Sequence, residues 1–285
     1  MNTRLVRFNS SDGIEMVGLL HTPRVSTNKV IIHIHGLNGN FYENGFLDSL
    51  AKTYTKKGFA FLTFNNRGKD YIADLKKGDD SVVIGGSLER FKDCIYDIDG
   101  AVKFVEENGY NEIIIQGHSY GCNKVLYYYD KKKNNNIKKL ILLAPCDIMA
   151  EVMECYGDEY DDIKQIATNL VCSGKEDELM RCDFMTNGKI AASTFYNDFL
   201  PGGLNDFLRY RDGINGKSRL LNKIDIPVLT IFGDVDSCVL TQPIEVVKEY
   251  LTNNIKDINI QIISGANHSY TNRYKELCNA IKNNL

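Results

Sequence analysis

The sequence predicts an α/β fold in which a mostly parallel sheet carries helices on both faces. Buried, β-branched runs alternate with helical apolar patterns along most of the 285 residues, and this alternation is typical of parallel sheets. One Gly-flanked turn joins such a run to a helix, and one long segment interrupts the alternation. We therefore expect a single α/β core, residues 1–146 and 224–285, with an inserted cap at 147–223.

Composition and charge exclude several classes of protein. A hydrophobic content of 43% with 25% charged residues is ordinary for a globular protein, and the net charge of −3 argues neither for nucleic acid nor for a membrane surface as partner, so we expect neither. No apolar run is long enough to span a bilayer, and the amino-terminal residues lack the apolar region of a secretory signal. The eight cysteines are scattered without C-x-x-C pairs, so we expect free thiols in the cytoplasm and neither a zinc site nor a disulfide framework.

Apolar periodicity and turn residues predict the elements in order. Residues 3–8 and 14–21 are expected to be strands joined by a turn at Asp12-Gly13. The further strands are expected at 29–35, 59–64, 112–116, 139–144, 227–233 and 258–263. Helices are expected at 46–57, 88–108, 122–130, 242–251 and 270–282. The polar stretch 69–87 predicts an irregular surface excursion.

The segment 147–223 is acidic at first, carries no strong strand run and contains scattered bulky side chains. Because a structureless insertion of this length is improbable, we expect a small helical cap. Its place between two core strands suggests that it covers a site and supplies side chains to an acyl pocket. The same side chains are equally expected if the cap simply has a small core of its own.

Residues 117–121 read G-x-S-x-G between the apolar run 113–115 and a helical stretch, which is the pattern of a nucleophile elbow. Gly117 and Gly121 lack a Cβ, so strand and helix can pack closely. Ser119 is then held at the tip with its hydroxyl exposed. Backbone N–H groups of the following helix point towards a developing oxyanion.

A serine nucleophile needs a base and an acid that orients the base. His268 is the only one of the five histidines after the elbow, and it follows the last strand, where the base belongs in the order Ser, acid, His. For the acid we favour Asp236, because Asp234 directly after a glycine fits a turn-capping residue. Asp147 is a third candidate, better explained as a cap at the start of the insertion.

Two backbone N–H donors are needed for the oxyanion. One is expected from Tyr120, the residue after the nucleophile. The other is expected from the loop after the third strand, where we assign Leu37, with Gly36 as the next choice. Because these donors belong to the backbone, the two side chains remain free to shape the pocket.

With these features in this order, the chain resembles the α/β-hydrolase superfamily over almost its whole length. The loop 35–40 (HGLNGN) resembles the oxyanion loop of cinnamoyl/feruloyl esterases and serine-aminopeptidase-like hydrolases. Residues 85–87 and 97–99 are similar to the helix that leads to the elbow in those enzymes. The acid of the family pattern G-x-x-D matches Asp236, and the histidine of its G-x-x-H matches His268.

The chain departs from that resemblance at residues 65–70. The superfamily often has D-x-R-G-x-G after the fourth strand, whereas this chain has NNRGKD. The retained Arg-Gly predicts that the turn is kept. The change touches no triad position, but it weakens the transfer of a subfamily's substrate.

These patterns predict a serine hydrolase without cofactor or metal that cleaves a small-molecule ester with a small or medium acyl group. Thioesterases, amidases or peptidases, and C–C hydrolases share the same machinery and stay open as alternatives. A haloalkane dehalogenase is disfavoured because its elbow nucleophile is an aspartate. An alternative of another class is a ligand receptor built on a hydrolase fold. A weakly acidic surface is compatible with either a monomer or a dimer.

Overall fold

A computed structural model describes residues 1–185, 188–237 and 241–285, which are organised around one large sheet. The strands are β1 (Asn2–Asn9), β2 (Glu15–Thr22), β3 (Lys29–Ile34), β4 (Ala60–Phe64), β5 (Ala73–Lys77), β6 (Asp80–Ile84), β7 (Glu112–His118), β8 (Ile137–Leu143), β9 (Leu179–Cys182), β10 (Gly188–Ala191), β11 (Val228–Gly233) and β12 (Ile258–Ile263). Eight of them form the sheet in the order β1-β2-β4-β3-β7-β8-β11-β12.

The sheet is parallel except at one side, where β1 pairs with β2 and β2 with β4 in antiparallel fashion. In the parallel part, Ile34 of β3 lies opposite Gly117 of β7, and His118 lies opposite Leu143 of β8. On the far side, Gly233 of β11 lies opposite Ile263 of β12. The carboxyl ends of these strands therefore share one edge, where ligands bind in open α/β sheets.

Helices cover both faces of the sheet, as expected. They are α1 (Phe46–Lys56), α2 (Cys94–Glu107), α3 (Tyr120–Lys132), α4 (Ile148–Tyr156), α5 (Tyr160–Cys172), α6 (Ala192–Asp198), α7 (Ile244–Asn254) and α8 (Tyr274–Lys282). Buried residues of α1 and α8 pack in one apolar cluster, and those of α2, α3 and α7 pack in another. Strand residues alternate between the two clusters, with Ile31 in the first and Val30 and Ile32 in the second, because successive strand side chains point to opposite faces.

The predicted strands and helices of the core are all present, with shifted ends. The largest shift is in α2, which begins at Cys94 after a short 3-10 turn at Phe91–Asp93 rather than at residue 88. The prediction of an irregular excursion at 69–87 was wrong, because β5 and β6 form an antiparallel hairpin there. Only Ala73 and Leu75 of that hairpin are buried, so its apolar alternation is too weak to stand out in the sequence.

The segment between β8 and β11 contains α4, α5 and α6, as the helical prediction requires, and also the β9–β10 hairpin, whose four-residue strands are too short to recognise from sequence. Buried hydrogen bonds connect the segment to the core. Asn123 of α3 donates to Asn205 at 2.9 Å, and the Tyr210 hydroxyl donates to the Pro145 carbonyl at 3.1 Å.

The cysteines in the described ranges are all free, and most of them are buried. Within the same ranges, no helix combines the length and apolarity that crossing a bilayer demands.

Candidate active site

Ser119 lies at the sharp turn between β7 and α3, at the shared edge of the sheet. Its φ of 55° and ψ of −131° are outside the regions that L-residues ordinarily adopt, which costs on the order of 1–3 kcal/mol. The turn is held because the Ser119 N–H donates to the Leu143 carbonyl of β8 at 2.9 Å, and the Cys122 N–H donates to the Ser119 carbonyl at 2.8 Å. The side chain is partly exposed.

The turn also depends on a very close approach of backbone segments. A Cβ added to Gly121 would lie 2.2 Å from the Ile34 carbonyl oxygen of β3, and one added to Gly117 would lie 2.5 Å from the Gly121 carbonyl oxygen. Such distances are shorter than any Cβ contact tolerates, so both glycines allow α3 to start directly against the sheet. This agrees with the reason that the sequence pattern suggested for them.

His268 and Asp236 meet at the same edge, in the loops after β12 and β11. The His268 Nδ1 atom lies 3.0 Å from the Asp236 Oδ2 atom. The imidazole side chain is 25% exposed and the carboxylate is fully buried. The two loops can approach because Gly233 lacks a side chain, since a Cβ there would lie 2.1 Å from the Ala266 carbonyl oxygen.

The two other candidate acids lie elsewhere. Asp234 accepts the Gly265 N–H at 2.6 Å and the Ser264 hydroxyl at 3.0 Å, so it caps the turn that leads to His268. Asp147 accepts the Ala150 N–H at 3.2 Å and therefore caps α4. Both side chains thus do what the sequence suggested for them, and only Asp236 contacts the imidazole of His268.

The loop after β3 passes directly over Ser119. A Cβ added to Gly36 would lie 3.3 Å from the Ser119 Oγ atom. Within the described ranges, the backbone N–H groups of Leu37 and Tyr120 donate to no protein acceptor. Two unused N–H groups are thus available, one from the loop that approaches Ser119 and one from the residue after Ser119 at the amino terminus of α3.

His118 was not expected to take part, yet it supports the histidine loop. Its Nε2–H donates to the His268 carbonyl at 2.8 Å, and the two rings lie 4.9 Å apart. Burial, together with the neighbouring His268, lowers the pKa of His118 to about 3. His118 is therefore neutral and a constant donor at neutral pH. His118 is the first variable residue of G-x-S-x-G, and nothing in that pattern predicts its hydrogen bond to the His268 carbonyl.

Glu151 is a second residue that the sequence did not single out. It lies in the first turn of α4, where burial and the negative charges of Asp236 and Glu154 raise its pKa to about 7, against the opposing effect of His268. A carboxyl that titrates near neutral pH thus lies in the electrostatic field of the site. The acidic start of the insertion was visible in the sequence, but nothing there distinguished Glu151.

A cavity of about 620 Å³ lies between the inserted segment, including Asp198 and Leu200, and Arg90 and Lys92 of the core. Phe199, which lies between Asp198 and Leu200 in the sequence, stacks on the ring of Tyr120 with the ring centroids 5.7 Å apart. Among the described residues, no group of three or more His, Cys, Asp or Glu side chains is placed to hold a metal ion.

Comparisons with known proteins agree with this architecture. The family model of the alpha/beta hydrolase fold matches residues 29–163. Est1E from Butyrivibrio proteoclasticus, solved with ferulic acid bound, superposes with a TM-score of 0.66 at 20% identity, covering 97% of this chain and 96% of its own. The Pyrococcus furiosus esterase Pf2001 superposes with a TM-score of 0.62 at 15% identity, covering 99% and 91%.

DcsB, solved with a substrate analogue, superposes over the full length of both chains with a TM-score of 0.68 at 14% identity. No curated protein sequence matches the chain. The sequence match over 29–163 and the shared architecture over the whole length identify the chain as a protein of the α/β-hydrolase fold.

Proposed function

We propose that the protein is a serine hydrolase that cleaves carboxylic esters with a small or medium acyl group. The observation that carries the proposal is the 3.0 Å contact between His268 and Asp236 at the sheet edge that also bears Ser119 in a strained turn. The unused N–H groups of Leu37 and Tyr120, next in sequence to Gly36 and Ser119, support the same chemistry. Nucleophile, base, orienting acid and oxyanion donors are the parts that acyl transfer requires.

In the proposed reaction, the Ser119 hydroxyl attacks the ester carbonyl while His268 accepts its proton. Asp236 accepts a hydrogen bond from the His268 Nδ1–H and so leaves the Nε2 lone pair for that proton. The N–H groups of Leu37 and Tyr120 bind the oxyanion of the tetrahedral intermediate. His268 then protonates the leaving alcohol, which departs and leaves the acyl-enzyme.

Water resolves the acyl-enzyme by the reverse sequence of proton transfers. His268 takes a proton from water, the resulting hydroxide adds to the acyl carbonyl, and the same N–H donors bind the second oxyanion. The intermediate collapses to the free acid, and His268 returns its proton to Ser119. The cycle is complete without a metal or cofactor in any step.

We propose an ester as substrate because two of the structural neighbours are associated with ester chemistry. Est1E was solved with ferulic acid, and Pf2001 is described as an esterase. At identities of 20% and below, these neighbours show only that the fold is shared. The acyl substrate of this chain is therefore our proposal. We further propose that residues 147–223 act as a cap, with Phe199 forming one wall of the acyl pocket beside Tyr120.

The proposal is tested by hydrolysis of p-nitrophenyl esters from acetate to octanoate. We expect wild-type turnover with a preference for short or medium chains, and a loss of at least about 10³-fold in kcat in Ser119→Ala. Ser81→Ala, at an exposed hairpin position, is the control and should retain full activity. Substantial hydrolysis by a correctly folded Ser119→Ala protein would refute the assignment. Matching thioesters and anilides, assayed in parallel, should turn over more slowly than the esters.

A further inference from the structure

A buried ion pair lies under the elbow helix and is not used by the proposed reaction. The Lys124 Nζ atom of α3 lies 2.7 Å and 2.9 Å from the two carboxylate oxygens of Glu89. The side chains are 1% and 2% exposed. Removing two charges from water costs several kcal/mol for each ion. The attraction between the two side chains therefore does not by itself explain why they are buried here.

The pair connects to the turn that follows β4. Lys124 also approaches the Asn66 Oδ1 atom at 3.4 Å, and the same oxygen accepts the Gly68 N–H at 3.0 Å. The Glu89 carboxylate packs directly against this turn, since a Cβ on Gly68 would lie 2.3 Å from its oxygens. The ion pair therefore sets the position of the 66–68 backbone.

From Asn66 the hydrogen bonds continue to the oxyanion loop. The Asn66 N–H donates to the His35 Nε2 atom at 3.0 Å, and the opposite nitrogen, Nδ1, donates to the Gly36 carbonyl at 2.9 Å. Burial and the charge of Lys124 lower the pKa of His35 to about 3, so the ring is neutral. A neutral ring that accepts at Nε2 carries its proton at Nδ1, which fixes the tautomer.

This series of hydrogen bonds ends at the peptide group between Gly36 and Leu37. Its carbonyl is held by His35, and its N–H is the Leu37 donor that we assign to the oxyanion. A peptide group is planar, so a hydrogen bond to the carbonyl also sets the direction of the N–H. The other donor, Tyr120, lies one helical turn before Lys124, whose ammonium group is 5.3 Å from the Tyr120 ring centroid.

We propose that Lys124 and Glu89 are positioning residues that fix the Leu37 N–H relative to the Tyr120 N–H and so pre-form the oxyanion hole. The proposal rests on the proposed serine-hydrolase function. Neither side chain contacts the reacting atoms. They act through Asn66 and His35, and pre-organised donors of this kind account for a large share of catalysis in acyl transfer.

The test compares Lys124→Met with the double variant Lys124→Met/Glu89→Leu. The single change leaves a buried carboxylate without its partner and should destabilise the fold, whereas the double change removes both charges and should recover most of the stability. If the pair only supported the fold, activity would recover together with stability. If the pair positions the oxyanion loop, the double variant stays defective although it is stable.

For the double variant we expect a 10- to 100-fold loss in kcat on a p-nitrophenyl ester, with KM changed less than three-fold. The inhibition constant of a trifluoromethyl ketone, which forms a tetrahedral adduct with an oxyanion, should rise by a similar factor. Arg211→Met is the control, because it removes the partner of a buried carboxylate, that of Asp147, that has no link to residues 35–37. It should lower stability without this loss in kcat.

Hydrogen exchange gives a readout that does not need activity. In the double variant, the amides of residues 36–40 should exchange at least about 10-fold faster, while β7 keeps its protection. Wild-type kcat and unchanged exchange in the double variant would overturn the positioning role. If the wild type hydrolyses no ester, the proposed function fails, and faster loop exchange alone would still support the positioning role.

Discussion

At the scale of single residues, the site depends on backbone positions that only particular residues allow. Ser119 has a positive φ, 55°, that an L-residue rarely adopts. Gly121 and Gly233 allow backbone approaches that are too close for any Cβ atom. These demands were partly visible in the sequence, because glycines flank the serine and precede the aspartate loop. The hydrogen bond from His118 to the His268 carbonyl was not, because the two residues are 150 positions apart and only the folded sheet edge joins them.

Asp198 of α6 makes a prediction about pH and stability. It is 2% exposed and accepts the Phe91 N–H at 2.8 Å. Burial, reinforced by Glu89 and Asp93, raises its pKa from 3.8 to about 7, against the opposing effects of the Phe91 N–H and of Lys124. The folded state therefore holds this proton more tightly than the unfolded state. Its stabilising effect is complete below about pH 4 and is lost as the pH rises towards 7.

Asp198→Asn keeps an oxygen acceptor for Phe91 but carries no charge at any pH. The free energy of unfolding of this variant, relative to wild type, should increase by about 2–3 kcal/mol between pH 5 and pH 8. Urea unfolding at several pH values measures it. The exposed control Asp79→Asn should show no such change, and a flat difference for Asp198→Asn would contradict the raised pKa.

At the scale of elements, one arginine joins three separate parts of the fold. The Arg67 guanidinium, 4% exposed, binds Asp97 of α2 and Asp12 of the β1–β2 turn, at 2.8 Å and 2.7 Å. Its backbone N–H also donates to Asp97 at 2.8 Å. Arg67 thus holds the turn after β4 against both α2 and the β1–β2 turn.

Arg67→Lys should lower the free energy of unfolding by about 2–3 kcal/mol, because an ammonium group cannot reproduce the guanidinium's fixed set of donors in a buried place. Arg7→Lys is the matched control. Arg7 also binds a carboxylate, that of Glu15, but its side chain is 57% exposed, so we expect a change below about 0.5 kcal/mol. Equal losses at the two sites in chemical unfolding would contradict this account.

The elements themselves were predictable to different degrees. Core strands such as β3 and β7 are continuous β-branched runs buried on both faces, and this pattern survives without any tertiary information. The β5–β6 hairpin was missed because it depends on few buried side chains, and β9 and β10 because they are so short. The Lys124–Glu89 pair was also invisible, because residues 35 positions apart become neighbours only when α3 packs over the turn after β4.

At the scale of the whole molecule, the core and the inserted segment meet beside the elbow. Phe199 of the segment, 1% exposed, lies against Tyr120 of the elbow and between two residues that line the 620 Å³ cavity. The order of the segment along the chain was evident from the sequence. The sequence did not show which of the segment's bulky side chains would face the elbow. Helical periodicity predicts which face of a helix is buried, but it does not predict which part of the protein covers that face.

Phe199→Leu should shift the preferred p-nitrophenyl ester towards longer acyl chains, since it shortens the side chain that stacks on Tyr120 and that we propose as one wall of the acyl pocket. We expect a stability cost of about 1 kcal/mol. Phe104→Leu, which changes a partly buried phenylalanine of α2 stacked on Phe8, should cost similar stability and leave the chain-length profile unchanged. An unaltered profile in Phe199→Leu would argue against a pocket wall at this position.

In the proposed mechanism, Ser119, activated by His268 and Asp236, forms a covalent bond with the substrate's acyl group. The most direct measurement is intact-protein mass spectrometry with peptide mapping after treatment with a fluorophosphonate. We predict a single adduct on Ser119 in the wild type, none in Ser119→Ala, and labelling slowed by at least about 10³-fold in His268→Gln. An adduct on another residue, or equal labelling of Ser119→Ala, would contradict the account.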